Sequence, residues 1–127
     1  MVPNDASPSV RRAGRVHLRG QPVGVVIEYE ATPDGRFCFQ YDAVYLAAAD
    51  AQAISLTFPL RPEPYFTSHL HGYFAGLLTE GRFAVSQCRQ LKIDEADLFG
   101  RVLATCHTDT IGAVTVTAID DLEGLQP

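Results

Sequence analysis

A chain of 127 residues, 46% of them apolar and 20% charged, is long enough for one domain with a real core and too apolar to stay unfolded. Fifteen acidic against ten basic side chains leave a formal net charge of −5, which argues against unaided binding to DNA or to an anionic membrane surface. The longest apolar run, Val44–Ala49, is far too short to span a bilayer. The first residues lack the charged-then-apolar order of a secretory signal, and three widely spaced cysteines without a CxxC pair suit reduced thiols, so the expected location is the cytoplasm.

Residues 1–13 hold prolines, serines and small polar residues without a hydrophobic period, and read as a flexible tail. A domain is expected over 14–120, with a second tail over 121–127. Gly14–Arg19 alternates, with Val16 and Leu18 on one face, and Gly20-Gln-Pro22 supplies a turn to a second strand, Val23–Glu30. Thr32-Pro-Asp-Gly35 is a stronger turn, because Asp-Gly admits the positive φ of tight hairpins. Arg36–Tyr41 then alternates as a third strand. Three short strands joined by turns imply an antiparallel meander.

The Ala-rich stretch Asp42–Asp50 fits one or two helical turns or a bulged continuation of the sheet. Ala53–Phe58 reads as a strand stopped by Pro59, and the Arg-Pro-Glu-Pro-Tyr-Phe segment 61–66 as a proline-stiffened elbow. Ser68 is the expected N-cap of a helix to about Thr79, with Leu70, Tyr73, Phe74, Leu77 and Leu78 on one face and Gly81 as its terminator. A second helix, Arg82–Leu91, places Phe83, Val85 and Cys88 inward. A third begins at Asp94, where Asp94-Glu-Ala-Asp97 resembles a capping box, and buries Leu98, Val102 and Leu103. Gly112–Ile119 closes the chain as a strand with Val114, Val116 and Ala118 on one face. The order β-β-β-(α)-β-α-α-α-β defines an α+β fold: an antiparallel sheet of about five strands, barrel-like if it closes, with two to three helices packed on one side.

No residue pattern points to catalysis. His69 and His71, two apart on a helix, would point about 200° from each other and share no metal. Cys88 and Cys106 fall at helical positions that suit small core residues better than nucleophiles. The acids at 94, 95 and 97 and at 120, 121 and 123 read as helix-start charges and a solvated tail. No GxGxxG or Walker-type glycine loop occurs, the single lysine is Lys92, and no HRD-like or DFG-like segment follows. The chain by itself therefore reads as neither a kinase nor any other enzyme, with no cofactor and no metal. The elbow differs in kind: its prolines stiffen a loop that presents Tyr65 and Phe66, and stiff aromatic anchors lose little entropy on docking. Tyr65 is read equally as such an anchor or as a bystander on the surface, and Phe66 as a staple to the core.

Six segments in order carry a family resemblance: Val23-Gly24, Phe39-Gln-Tyr41, Ile54-Ser-Leu-Thr-Phe-Pro-Leu60, Phe74–Gly81, Asp97-Leu-Phe-Gly100 and Asp109-Thr-Ile-Gly-Ala-Val. Together they resemble the N-terminal subdomain of HipA-type serine/threonine kinase toxins. One departure is Gly76-Leu-Leu-Thr79, where the family usually has Asn-Leu-Leu-Pro. As a free-standing copy ending before any kinase segment, the chain is similar to the HipS-like proteins of three-component HipBST toxin–antitoxin systems. The resemblance implies a non-catalytic antitoxin that binds and inhibits a HipT-like kinase. A HipB-like DNA-binding protein would join through the complex, with no direct nucleic-acid or membrane contact. The rival implication is an activating or substrate-presenting subunit of a split kinase. The expected contact residues are Pro64, Tyr65, Phe66, Ser68, His69 and His71, with Tyr65 inserted near the kinase's phosphate-binding loop.

Overall fold

The computed structural model describes residues 9–30, 36–78, 82–107 and 113–122. Five strands, β1 (Val10–Leu18), β2 (Gln21–Tyr29), β3 (Phe37–Tyr41), β4 (Tyr65–Thr67) and β5 (Val114–Ala118), form one antiparallel sheet in the order β4-β3-β2-β1-β5. The two end strands do not pair with each other, so the sheet is open rather than a barrel. Four helices complete the α+β fold: α1 (Ala43–Leu46), α2 (Gly72–Ala75), α3 (Arg82–Leu91) and α4 (Leu98–Thr105).

The β1–β2 hairpin turns on Arg19 and Gly20, whose φ values of 50° and 83° are the paired positive angles of a type I′ turn. β1 starts at Val10, so residues 10–13 belong to the sheet and not to the tail. The expected 32–35 turn, the 79–81 helix end, the side chain of Phe83, residues 109–112 and most of both tails lie outside the described residues.

Register divides the side chains between two faces. Val16, Val26, Phe37, Phe39, Tyr41, Val114 and Val116 share one face and meet Phe74, Leu77, Leu78, Phe99, Val102 and Cys106 in the main core. Phe39 sits at its centre, with ring centroids of Tyr41, Phe58 and Phe74 at 4.9, 5.0 and 5.5 Å. The other face carries a smaller cluster, Ala13, Val25, Ile27, Tyr29 and Cys38, flanked by Val10, Ile119 and Leu122.

Several expectations are corrected. Ala53–Phe58 is not a strand. Its backbone is taken up by tyrosine hydroxyls: Tyr41 Oη donates to Phe58 O and accepts from Ile54 N at 3.0 Å. Tyr45 Oη both donates to Gln52 O (2.8 Å) and accepts from Gln52 N (2.9 Å). The fourth strand is instead Tyr65–Thr67, within what was expected to be the elbow.

The helix expected over 68–79 shrinks to Gly72–Ala75 with His71 as its N-cap residue, since Ser68 caps nothing there. Thr67 Oγ1 captures the next backbone groups, accepting from His69 N at 3.0 Å and donating to His69 O. Glycines at 72 and 76 weaken the remainder. The apolar stripe still holds, with Phe74, Leu77 and Leu78 buried and Leu70 and Tyr73 packed partly against them.

Finally, α4 begins at Leu98 with Asp97, not Asp94, as N-cap, its carboxylate accepting from Gly100 N at 3.1 Å. Asp94 makes a local turn to Ala96 N. The buried residues of α4 are Phe99, Arg101 and Val102; Leu98 is exposed, and Leu103 only partly buried. On β5, Val114 and Val116 are buried but Ala118 is exposed. On α3, Cys88 is buried together with Ala84, while Val85 is half-buried. The Asp42–Asp50 stretch resolves into the single helical turn of α1.

Candidate functional site

The elbow is built from both sides. Gln40 Nε2 donates to Pro62 O at 2.9 Å, tying the proline segment to β3. Arg61 folds back over it: Nε donates to Glu63 O and Nη2 to Pro64 O, each at 3.1 Å, and the guanidinium lies 3.7 Å from the Tyr65 ring centroid. Cation and ring attract through the ring quadrupole, so the elbow is fixed before any partner arrives.

Tyr65 is fully engaged. On β4 it pairs with Phe39, its ring lies 5.1 Å from Phe58, and its hydroxyl donates to Pro59 O. Phe66 points to the opposite face, as the next residue of a strand must, and is 40% exposed with Tyr29 at 6.5 Å. The sequence expectation is thus reversed: Tyr65 is the staple and Phe66 the exposed aromatic.

His71 is buried at 6% exposure between Phe58 and Phe74, with ring centroids at 5.4 and 5.8 Å. Its Nε2 lies 2.8 Å from Tyr65 O and donates to that carbonyl, while buried Nδ1 has no partner. Burial lowers its pKa from 6.5, the carbonyl bond only partly opposing this. The neutral ring is therefore the stable form, and its bond to Tyr65 O ties the start of α2 to the β4 edge.

Ser68 and His69 are exposed and line a cleft of about 280 Å³ with Arg36, Phe37, Leu98 and Phe99. Glu28 and Asp97 also line it, and Arg12 bridges these two acids. Its Nε donates to the buried Glu28 at 2.7 Å, and its Nη1 and Nη2 donate to the two oxygens of Asp97 at 2.9 and 3.0 Å. The Arg12 hydrogen bond holds the Asp97 carboxyl below its ordinary range. Sequence reading missed this cluster because its members lie up to 85 positions apart.

The six expected contact residues accordingly do not converge. Tyr65 and His71 face the core, Phe66 the opposite side of the sheet, Ser68 and His69 the cleft, and Pro64 is half-buried in the elbow. Among the described residues, no three His, Cys, Asp or Glu side chains group as a metal centre. No described helix is long and apolar enough to cross a membrane. The cysteines are buried free thiols, and burial pushes Cys38 up to about 11, away from thiolate reactivity.

The described residues thus form an open α+β sheet that carries a fixed aromatic elbow on its β4 edge. The family model described as the HipA N-terminal domain matches residues 14–117, and the chain belongs to that family. Membership gives it a HipA-related, toxin–antitoxin setting, and its domain is separate from the catalytic part of a HipA kinase. It is 33% identical over 106 residues to an uncharacterised protein of Haemophilus influenzae, covering 83% of this chain and 91% of that one. The solved structure of the N-terminal domain of HipA toxin shares the fold, with a TM-score of 0.60 at 24% identity, covering 87% of this chain and 95% of that domain.

Proposed function

We propose that this protein is a non-catalytic, HipS-like antitoxin that binds a partner HipT-like serine/threonine kinase in trans and inhibits it. A HipB-like DNA-binding protein completes the assembly, and the complex works in the cytoplasm. The observation that supports this most directly is the Haemophilus influenzae relative, matched over 91% of its own length. That relative is itself little more than this one domain, so a HipA N-terminal domain occurs as a separate polypeptide. A separate copy can regulate a kinase only by touching it.

The contact surface is the β4 elbow, with Phe66 in the role first expected of Tyr65. Phe66 is the exposed aromatic, while Tyr65 and His71 set the backbone that presents it. Pro64 adjoins it within the elbow, while Ser68 and His69 would meet the kinase separately, through the cleft they line. Phosphoryl transfer depends on positioning, so a side chain wedged beside the phosphate-binding loop slows it without any chemistry of its own.

The test is autophosphorylation of a HipT-like kinase, sought among the products of neighbouring genes that co-purify with this chain, measured with and without the purified chain. Inhibition is expected, weakened about 30-fold by Phe66→Ala, as befits a buried aromatic anchor. Stimulation would instead establish an activating subunit of a split kinase, and absence of any complex would remove both readings.

A further inference from the structure

Leu60, just before the elbow, is an exposed apolar residue at 39%. It lines a groove of about 480 Å³ with Arg61 and Pro62 on one wall and Ala43, Leu46 and Ala47 of α1 on the other. Each wall is tied down separately. Asp42 N donates to Val23 O at 2.9 Å ahead of α1, and Gln40 holds Pro62. The groove is therefore a standing feature of the surface.

Its one charged wall residue is Arg61. Two of its three nitrogens are committed to Glu63 O and Pro64 O, and the guanidinium plane is parked on Tyr65. Nη1 has no hydrogen-bond partner among the described residues, and no described carboxylate forms an ion pair with Arg61. A guanidinium immobilised in this way at the side of an apolar groove complements a carboxylate next to an apolar side chain. Little rotamer entropy remains to be lost when that carboxylate binds.

The geometry points to this groove as a second docking site, continuous with the elbow, for a segment of the partner kinase in which an aliphatic side chain adjoins an Asp or Glu. The inference rests on the proposed function for the identity of the occupant. The elbow supplies the aromatic anchor, and the groove reads an apolar–acidic pair beside it.

The test uses the full chain and the kinase that co-purifies with it. Binding constants are measured for the unaltered chain, for Ala47→Asp, which puts a like charge into the groove, and for Arg61→Glu and Arg61→Lys. Ala47 is exposed, so Ala47→Asp is expected to leave the melting temperature unchanged; Arg61 also holds the elbow, so its variants are read beside Ala47→Asp and never alone. At least tenfold weaker binding is expected for Ala47→Asp and Arg61→Glu, with Arg61→Lys in between because it keeps the charge and loses the fork. If the unaltered chain binds, and binding weakens with Phe66→Ala but not with the groove variants, this inference is wrong and the proposed function stands. If the unaltered chain does not bind, both fall. Self-association abolished by Ala47→Asp would make the occupant a second copy and overturn the assignment to the kinase.

Discussion

At the scale of single residues, Arg12 joins the β1–β2 hairpin to the start of α4. It reaches from β1 to Glu28 on β2 and to the N-cap of α4, with its guanidinium carbon 5.4 Å from the centre of the Phe99 ring. The Glu28 side chain is only 5% exposed, whereas that of Asp97 is 38% exposed. Truncating the arginine therefore strands a buried carboxylate, with only Arg11 at 3.9 Å. Arg12→Met is expected to cost about 3 kcal/mol by urea denaturation, and Asp97→Asn only about 1 kcal/mol, because solvent screens the exposed acid. The double variant Arg12→Met, Glu28→Leu should recover most of the larger loss. If it does not, the loss comes from packing on Phe99 and not from the stranded charge.

Two groups also set the acid limb of stability. His71 is held below 6.5 chiefly by burial, so the unfolded chain takes up the proton first and stability falls as pH drops below 6.5. Asp97 is held below 3.8 by Arg12, so its contribution is complete above that value and is lost as pH falls further. Both act in the same direction in separate windows. His71→Phe, which needs no proton and fills the same aromatic slot, is expected to flatten the upper window and leave the lower one unchanged. An unchanged slope between about pH 5 and 7 would exclude His71 as its source.

At the scale of elements, the hairpin offers two glycines that are required for different reasons. Gly20 has φ +83° with open space around it, so Gly20→Ala is expected to cost only the conformational penalty, about 1 kcal/mol. Gly24 has no such angle, but a Cβ there would lie 2.5 Å from the backbone oxygen of Gln40 and 3.0 Å from the Phe39 ring. Relief requires moving β3 against β2, so Gly24→Ala should cost more, about 2–3 kcal/mol. Equal losses in urea titrations would show that strand spacing relaxes freely.

The same elements show what was legible in the sequence. β1, β2 and β3 could be read because their alternation and turn residues are local signals. β4 could not, because three residues between Pro64 and Ser68 carry no period and form a strand only by pairing with β3 some 28 positions earlier. Ala53–Phe58 misled for the converse reason: its apolar residues suggest a strand, but Tyr41, whose hydroxyl bonds its backbone at Ile54 and Phe58, comes from β3. The helical stripe at 70–78 predicted burial correctly and helix length wrongly, since burial follows side-chain spacing while the helix also needs backbone groups that Thr67 diverts. Tyr65 and Phe66 exchanged roles because facing on β4 is set by register, which no local pattern encodes.

At the scale of the whole molecule, charge and contact should separate kinetically. The net charge of −5 is spread partly over exposed acids at 94, 95 and 120, away from the elbow in sequence. Such charges act at long range, through encounter, and salt screens them beyond about 10 Å at 0.1 M. Phe66 acts only once the surfaces touch. Raising salt from about 0.05 to 0.5 M is therefore expected to slow association with the kinase several-fold while dissociation changes little. Phe66→Ala should do the reverse, speeding dissociation with association nearly unchanged. Surface plasmon resonance of both proteins across that salt range measures the two rates separately. If Phe66→Ala lowered only the association rate, the ring would be guiding encounter and not anchoring the complex, and the elbow would lose its place as the centre of the interface.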